Sequence, residues 1–131
     1  MDRVFLDANV LFSAAYRSGA GITRLWELVD VELLTSAYAA EGARRNLDRD
    51  EQRRLLNELL AGLQLVPESL AQLQWAQSLV TEKDAPILAA AMGAKANVLV
   101  TGDIRHFGPL MGRSDLPLRI STPRGFLSDR S

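Results

Sequence analysis

The fold class is indicated by Val4-Phe5-Leu6-Asp7-Ala8-Asn9-Val10-Leu11, a segment that joins an apolar strand to an apolar helix through an acidic residue. Residues 3–6 have the short apolar pattern of a buried strand, and residues 10–16 have the pattern of a helix. Asp7 stands where a helix N-cap commonly stands, so the helix can begin directly after the strand. A strand that runs straight into a helix is typical of α/β folds.

The same alternation of strands and helices continues to the end of the chain. Apolar runs predict strands at residues 31–35, 65–67, 98–100 and 118–120. Helical spacing predicts helices at residues 22–29, 37–47, 50–63, 70–80 and 85–96, with a turn or helix at 123–127. This order predicts one domain over residues 1–131, with a three-layer α/β/α architecture and a mostly parallel central sheet.

Composition is that of a compact globular protein. The 131 residues are 47% hydrophobic and 24% charged, with a formal net charge of -1. The absence of cysteine excludes disulfides, thiolate metal sites and cysteine nucleophiles. The apolar runs 4–6 and 85–100 are too short for a secretory signal and a membrane span respectively, so we expect a cytoplasmic protein with no membrane partner. Affinity for phosphate must come from a local patch or from bound cations.

Three aspartates are expected to meet at one edge of the sheet. Asp7 follows the first strand, Asp103 follows the strand at 98–100, and Asp84 begins the helix that leads into that strand. In a parallel sheet the carboxyl ends of the strands and the starts of the crossover helices share one edge, where ligands bind. The three carboxylates are therefore compatible with a single site.

Each aspartate also has a purely structural interpretation. Asp7 and Asp84 could be helix N-caps, and Asp103 could be a turn residue after Gly102. Three like charges at one edge repel one another, however, and a raised pKa or a bound cation relieves that repulsion. Carboxylate oxygens favour Mg²⁺ or Mn²⁺ over Zn²⁺. A metal-assisted phosphodiester hydrolysis is the natural chemistry of such a cluster.

Basic residues offer candidate contacts to a phosphate. His106, the only histidine, could contact phosphate or assist proton transfer, although a lone loop histidine is usually just solvated or hydrogen-bonded. Arg44 and Arg45 belong to a run of arginines on consecutive helices that acidic neighbours balance, which is typical of a solvated face. If Arg44 and Arg45 instead face the site entrance, they would contact phosphates.

Three segments together resemble the prokaryotic PIN domain. They are residues 4–11 (VFLDANVL), 83–91 (KDAPILAAA) and 101–107 (TGDIRHF). The resemblance covers essentially the whole chain and is closest to the VapC-like toxins of toxin–antitoxin pairs. It implies a PIN-like fold and a Mg²⁺- or Mn²⁺-dependent ribonuclease that cuts single-stranded RNA. It also implies a homodimer and a cognate antitoxin protein as partner.

The resemblance assigns roles to five residues. Asp7, Asp84 and Asp103 would be catalytic and would hold the metal. Asn9 and Thr101 would orient the carboxylates or a water molecule.

This sequence departs from the family pattern at the position of the fourth acidic residue. A glutamate is expected on the helix after the second strand, but Gly42 occupies its position and the available acid is Glu41. Neighbouring helix residues point about 100° apart. Either the helix is shifted so that Glu41 reaches the site, or the fourth ligand is missing.

Two competing interpretations remain open. The first is a catalytically impaired PIN-like domain that binds RNA or protein, which the glycine at position 42 supports. The second is a phosphatase of the haloacid-dehalogenase type with Asp7 as nucleophile. That family expects a second aspartate two residues later, where this chain has Asn9.

Overall fold

The computed structural model describes residues 1–130. Its five strands are β1 Asp2–Leu6, β2 Val31–Ser36, β3 Gln64–Val66, β4 Val98–Val100 and β5 Arg119–Ser121. Its α-helices within this range are α1 Ala8–Tyr16, α2 Ala37–Asn46, α3 Asp50–Ala61, α4 Leu70–Gln77, α5 Ala85–Gly93, α6 Ile104–Phe107 and α7 Pro123–Asp129. Two 3₁₀ helices lie at Gly21–Glu27 and Gly108–Leu110. The predicted α/β fold is confirmed.

The strands form one parallel sheet in the order β3-β2-β1-β4-β5. The two central neighbours, β1 and β4, pair with Leu6 opposite Val100. The backbone N–H of Asp7 continues this ladder by donating to the carbonyl of Val100 at 3.0 Å. The residues that directly follow β1 and β4 therefore emerge side by side at one edge of the sheet.

Burial of the central strands fixes this register. Val4, Phe5 and Leu6 are fully buried, and all three residues of β4 are buried as well. A sheet covered on both faces favours continuous apolar runs, which is what these strands contain. Each fully buried side chain of this size stabilises the fold by roughly 1.5–3 kcal/mol, so a one-residue slip that exposed them would be costly.

Helix ends differ from the predicted ones for local reasons. The helix predicted at 85–96 ends at Gly93, because Lys95 adopts a left-handed backbone with φ 57° and Ala96 N–H donates to the carbonyl of Ala91. This is the hydrogen-bond pattern of a Schellman C-cap. The segment predicted as a helix at 22–29 forms the 3₁₀ helix Gly21–Glu27 instead. Within residues 1–130, no helix has the length and apolar character needed to cross a bilayer.

Candidate active site

Asp7 is held at the end of β1 by three hydrogen bonds. One carboxylate oxygen accepts from the N–H of Ala8 at 2.6 Å. The other accepts from the Thr101 hydroxyl at 2.7 Å and from the Asn9 side-chain amide at 3.2 Å. Asp7 thus caps α1, as its structural interpretation predicts, and it also forms a bridge to the end of β4. Its side chain is fixed before any ligand binds.

Burial raises the pKa of the Asp7 carboxyl above its usual value of 3.8. Loss of hydration is the largest cause, and the negative charge of Asp84 acts in the same direction. The hydrogen bonds from Thr101, Ala8 and Asn9 favour the charged form but do not outweigh the burial. The protein therefore holds a carboxylate whose charge it only partly stabilises, and a cation placed beside it would supply the missing stabilisation.

Thr101 connects the two strand ends. Its hydroxyl donates to Asp7 and accepts from the N–H of Asp103 at 3.0 Å and from the side-chain amide of Asn9 at 3.3 Å. The side-chain oxygen of Asn9 in turn accepts from the N–H of Gly102 at 2.7 Å. A Cβ at position 102 would lie 3.2 Å from that oxygen, so glycine lets the two strand ends approach closely. Asn9 and Thr101 are thus placed where they can orient Asp7 and Asp103.

Asp84 does not act as a helix cap, in contrast to its structural interpretation. No hydrogen bond joins its side chain to the first turn of α5. One carboxylate oxygen accepts from the Thr81 hydroxyl at 2.7 Å, and the residue is 8% exposed. Asp84 is therefore a buried acid that the start of α5 does not require for capping.

Asp103 and His106 form a pair across the first turn of α6. One oxygen of Asp103 accepts from the backbone N–H of His106 at 3.0 Å, and the other lies 2.7 Å from Nδ1 of the imidazole ring. The same Nδ1 lies 3.4 Å from a carboxylate oxygen of Asp84. The donor atoms of Asp84, Asp103 and His106 all lie within 4.8 Å of one another, which makes this set able to hold a metal ion.

The pKa of Asp103 is lowered, in the direction opposite to that of Asp7. Partial burial alone would raise it, but hydrogen bonds from the His106 ring and backbone N–H outweigh the burial, and the positive charge of Lys83 adds to their effect. The pKa values of Asp7 and Asp103 therefore shift in opposite directions, because Asp103 has cationic or donating partners and Asp7 is more deeply buried.

The three aspartates lie in one cleft of about 730 Å³. Acidic residues Asp7, Asp84 and Asp103 line it together with Asn9, apolar or aromatic residues Ala8, Phe12, Tyr38, Ala43 and Ile87, and the polar or small residues Gly42, Arg45, Asn46 and Lys83. Tyr38 ties α2 to the segment before α5, because its hydroxyl donates to the carbonyl of Lys83 at 2.8 Å. The structure thus brings together the three aspartates that the sequence places at one sheet edge.

Helix α2 presents Gly42 to this cleft, whereas Glu41 does not line it. The Glu41 side chain is 57% exposed and accepts from the Arg44 guanidinium at 3.2 Å. Arg44 also donates to Asn57 at 3.1 Å on α3. The structure therefore does not bring Glu41 or Arg44 into the cleft. Arg45, in contrast, lines the cleft.

His106 is the residue whose position the sequence leaves least defined. The sequence indicates only a phosphate contact or proton transfer, whereas the structure places Nδ1 between two carboxylates. The signal that could have found it is the three-residue spacing from Asp103, which puts both side chains on one face when a helix begins at Asp103. A helix of four residues is too short for an apolar periodicity to reveal.

The donor set fits a divalent cation. The close group offers the carboxylate oxygens of Asp84 and Asp103, which Mg²⁺ and Mn²⁺ accept, and the imidazole nitrogen of His106, which suits transition ions. Asp7 is not part of this close group, but it lines the same cleft. The raised pKa of Asp7 supports the same conclusion, because an uncompensated buried carboxylate is stabilised by a cation.

Several solved structures share this fold at low sequence identity. VapBC2 from Rickettsia felis, bound to a DNA fragment from its promoter, is 16% identical with a TM-score of 0.69, over 92% of this chain and 98% of that chain. VapBC-1 from nontypeable Haemophilus influenzae is 18% identical with a TM-score of 0.63, over 93% and 98%. FitAcB from Neisseria gonorrhoeae is 19% identical with a TM-score of 0.58, over 92% and 98%.

Sequence comparison gives the family directly. No curated protein sequence matches the chain. The family model of the PIN domain, however, matches residues 3–105, a range that contains Asp7, Asp84 and Asp103. This match spans most of the chain and includes the whole cleft described above. The chain belongs to the PIN domain family.

Proposed function

We propose that this protein is a metal-dependent endoribonuclease that cleaves single-stranded RNA. The observation that carries the proposal is the meeting of Asp7, Asp84 and Asp103, from three different elements, in one cleft of a PIN domain. Mg²⁺ or Mn²⁺ is the proposed cofactor, because the cleft offers hard oxygen donors. The reaction would be hydrolysis of a phosphodiester bond.

The proposed roles of the residues follow from their contacts. A bound divalent ion would supply Lewis-acid activation of a water molecule and stabilisation of negative charge on the phosphate. Asp7, Asp84 and Asp103 would hold the ion, and Thr101 and Asn9 would keep the Asp7 carboxylate in place through the hydrogen bonds described above. Restricting the carboxylate in this way lowers the entropy that is lost when the ion and substrate bind.

The walls of the cleft suit a nucleic-acid strand. Arg45 and Lys83 line it, and both are exposed cations that can contact phosphate oxygens. Phe12 and Tyr38 also line it and can offer surfaces for base stacking. A cleft with cations and aromatic side chains next to acidic residues supports a single-stranded substrate.

A toxin role in a toxin–antitoxin pair is part of the proposal. Its support is the fold shared with VapBC and FitAcB over nearly the whole chain, since these neighbours are toxin–antitoxin complexes. We therefore propose an antitoxin protein as partner, a homodimer as the working assembly, and the cytoplasm as the location.

Cleavage of an end-labelled single-stranded RNA tests the proposed activity. Purified protein should cut it in Mn²⁺ or Mg²⁺, and EDTA should abolish the cutting. Asp7→Asn should lower the rate by at least about 100-fold, because it removes a charge beside the ion. The matched control is Asp48→Asn, an exposed aspartate outside the cleft lining, which should cut at the wild-type rate. Equal rates for the two variants would refute the proposed site.

The position of Gly42 favours a second candidate, a PIN domain that binds RNA or protein with impaired catalysis. Gly42 lines the cleft, and a Cβ there would meet only Ala8, at an ordinary contact distance of 3.4 Å. Membership of the PIN family weighs against the phosphatase interpretation.

Restoring a carboxylate at position 42 decides between these two candidates. If the wild type is impaired, Gly42→Glu should create or strongly increase cleavage, while Gly42→Ala should not. The alanine variant controls for helix stability, since alanine in a helix interior is favoured by about 1 kcal/mol over glycine. A wild type that already cuts efficiently, with no gain in Gly42→Glu, would reject the impaired candidate.

A further inference from the structure

The imidazole ring of His106 lies close to the carboxylates of both Asp84 and Asp103. Nδ1 is 2.7 Å from an oxygen of Asp103 and 3.4 Å from an oxygen of Asp84. The His106 side chain is 38% exposed, so part of the ring is open to solvent. A single ring nitrogen is thus shared between two acidic groups that come from different elements, the start of α5 and the start of α6.

These spacings are those of neighbouring ligands around one ion. Ligand atoms about 2.1 Å from a cation and at right angles to each other are about 3 Å apart. The distances of 2.7 Å and 3.4 Å lie on either side of that value. The spacing of these three donor atoms is therefore compatible with their binding one ion.

A simpler role for His106 would be to position Asp103 through a hydrogen bond. The backbone N–H of His106 already holds one oxygen of Asp103 at 3.0 Å, and Asp103 thereby caps α6. The N–H of Asp103 itself donates to Thr101. Asp103 is therefore fixed without the ring, and the hydrogen bond from the ring does not account for the approach of Nδ1 to Asp84.

We propose that Nδ1 of His106 is a direct ligand of the divalent ion held by Asp84 and Asp103. The proposal rests on the metal site of the proposed function and adds a nitrogen ligand to its carboxylate ligands. Binding through Nδ1 requires the ring proton to reside on Nε2, so the contact with Asp103 changes from a hydrogen bond to shared coordination. A mixed nitrogen and oxygen donor set favours a transition ion, with Mn²⁺ as the available probe, over Mg²⁺.

The sequence allows a site-specific spectroscopic test. His106 is the only histidine, so growth on ¹⁵N-labelled histidine marks this one ring in a protein from which any purification tag has been removed. Pulsed electron paramagnetic resonance of the Mn²⁺-loaded wild-type protein detects nitrogen atoms that are bonded to the ion. We expect a ¹⁴N coupling in unlabelled protein and its replacement by a ¹⁵N coupling in the labelled protein.

A variant adds an affinity measurement that does not depend on catalysis. His106→Gln should weaken Mn²⁺ binding by about tenfold or more, as loss of a ligand does, and should weaken Mg²⁺ binding much less. Arg105→Gln, at the adjacent exposed position on α6, is the matched control and should leave both affinities unchanged. Equal weakening of Mn²⁺ and Mg²⁺ binding would indicate only a positioning role.

The outcomes separate this proposal from the proposed function. Mn²⁺ binding and RNA cleavage without any nitrogen coupling would overturn the role of His106 and leave the nuclease intact. A nitrogen coupling without cleavage would support His106 as a ligand and count against the nuclease. Failure of the wild-type protein to bind Mn²⁺ would overturn both. The labelled wild type needs no substitution, so misfolding of a variant does not affect the result.

Discussion

Two aspartates that line the same cleft, Asp7 and Asp103, have pKa values shifted in opposite directions because their surroundings differ. Asp7 is 5% exposed, and burial raises its pKa. Asp103 is less buried, and the hydrogen bonds of His106 lower its pKa despite that burial. At the scale of single residues, the fold therefore holds one acid that gains from a nearby cation and one that already has donors around it.

The raised pKa of Asp7 predicts a pH-dependent difference in stability between wild type and Asp7→Asn. In metal-free protein, the folded state binds the Asp7 proton more tightly than the unfolded chain does. Wild type should therefore gain stability relative to Asp7→Asn as the pH falls through the raised pKa towards the usual value of 3.8, and should lose it as the pH rises again. The size is about 1.4 kcal/mol for each unit by which the pKa is raised.

Urea unfolding in EDTA at several pH values measures this difference. The comparison with Asp7→Asn removes contributions that the two proteins share, including the opposite contribution of Asp103. A difference in unfolding free energy that did not change between pH 7 and pH 4 would contradict the raised pKa of Asp7.

The positions of the acidic residues could be predicted from the sequence better than the hydrogen bonds that orient their carboxylates and shift their pKa values. Asp7, Asp84 and Asp103 could be found because each stands at a predicted end of a strand or start of a helix. The capping role of Asp7 is observed, but that of Asp84 is not, because its carboxylate turns to the Thr81 hydroxyl instead. Such choices depend on side-chain packing that a sequence pattern does not specify.

At the scale of elements, the rotation of α2 about its own axis determines which of its side chains reach the cleft. Successive helix residues point about 100° apart, so Gly42 and Arg45, three residues apart, share a face. Both line the cleft, whereas Glu41 and Arg44 pair with each other outside its lining. The sequence could place α2, but it could not fix the rotation of α2 about its axis.

This orientation of α2 predicts that substitutions of the two adjacent arginines have different effects on RNA binding. Arg45→Ala should weaken binding of single-stranded RNA by about three- to tenfold, because it removes a cation from the cleft wall. Arg44→Ala should have little effect, because that side chain contacts Glu41 and Asn57. The pair is matched in charge and helix position.

Fluorescence anisotropy with a labelled RNA in Ca²⁺ or EDTA, where cleavage is suppressed, measures the two affinities. The loss in Arg45→Ala should shrink as salt is added, since the contact is electrostatic. A larger loss in Arg44→Ala than in Arg45→Ala would mean that the RNA does not enter along this face of α2.

Short elements were the hardest part of the fold to predict. Helix α6 spans only Ile104–Phe107 and follows directly from Asp103, so its four residues carry no periodicity. Capping by Asp103 and packing of the buried Phe107 determine it. This helix places His106 next to Asp84, so its position bears on the proposed metal site.

At the scale of the whole molecule, the parallel sheet order creates the site. Asp7 follows β1 and Asp103 follows β4, and these strands are direct neighbours although more than 90 residues separate them in the chain. The alternation of strands and helices predicted this sheet, since connections between parallel strands are right-handed and keep the carboxyl ends together. The strand order itself became certain only from the structure.

If the proposed function is correct, the ion held in the acidic cleft is the one that supports RNA cleavage. The most direct measurement follows RNA cleavage and Mn²⁺ occupancy of the protein in the same titration. The occupancy is calculated from the electron paramagnetic resonance signal of the free Mn²⁺. We expect the cleavage rate to rise in proportion to Mn²⁺ occupancy, and Asp84→Asn to shift both curves together to higher Mn²⁺ concentration. Cleavage that persists at full rate in EDTA, or that is unchanged when Asp84→Asn shifts the occupancy curve, would contradict this expectation.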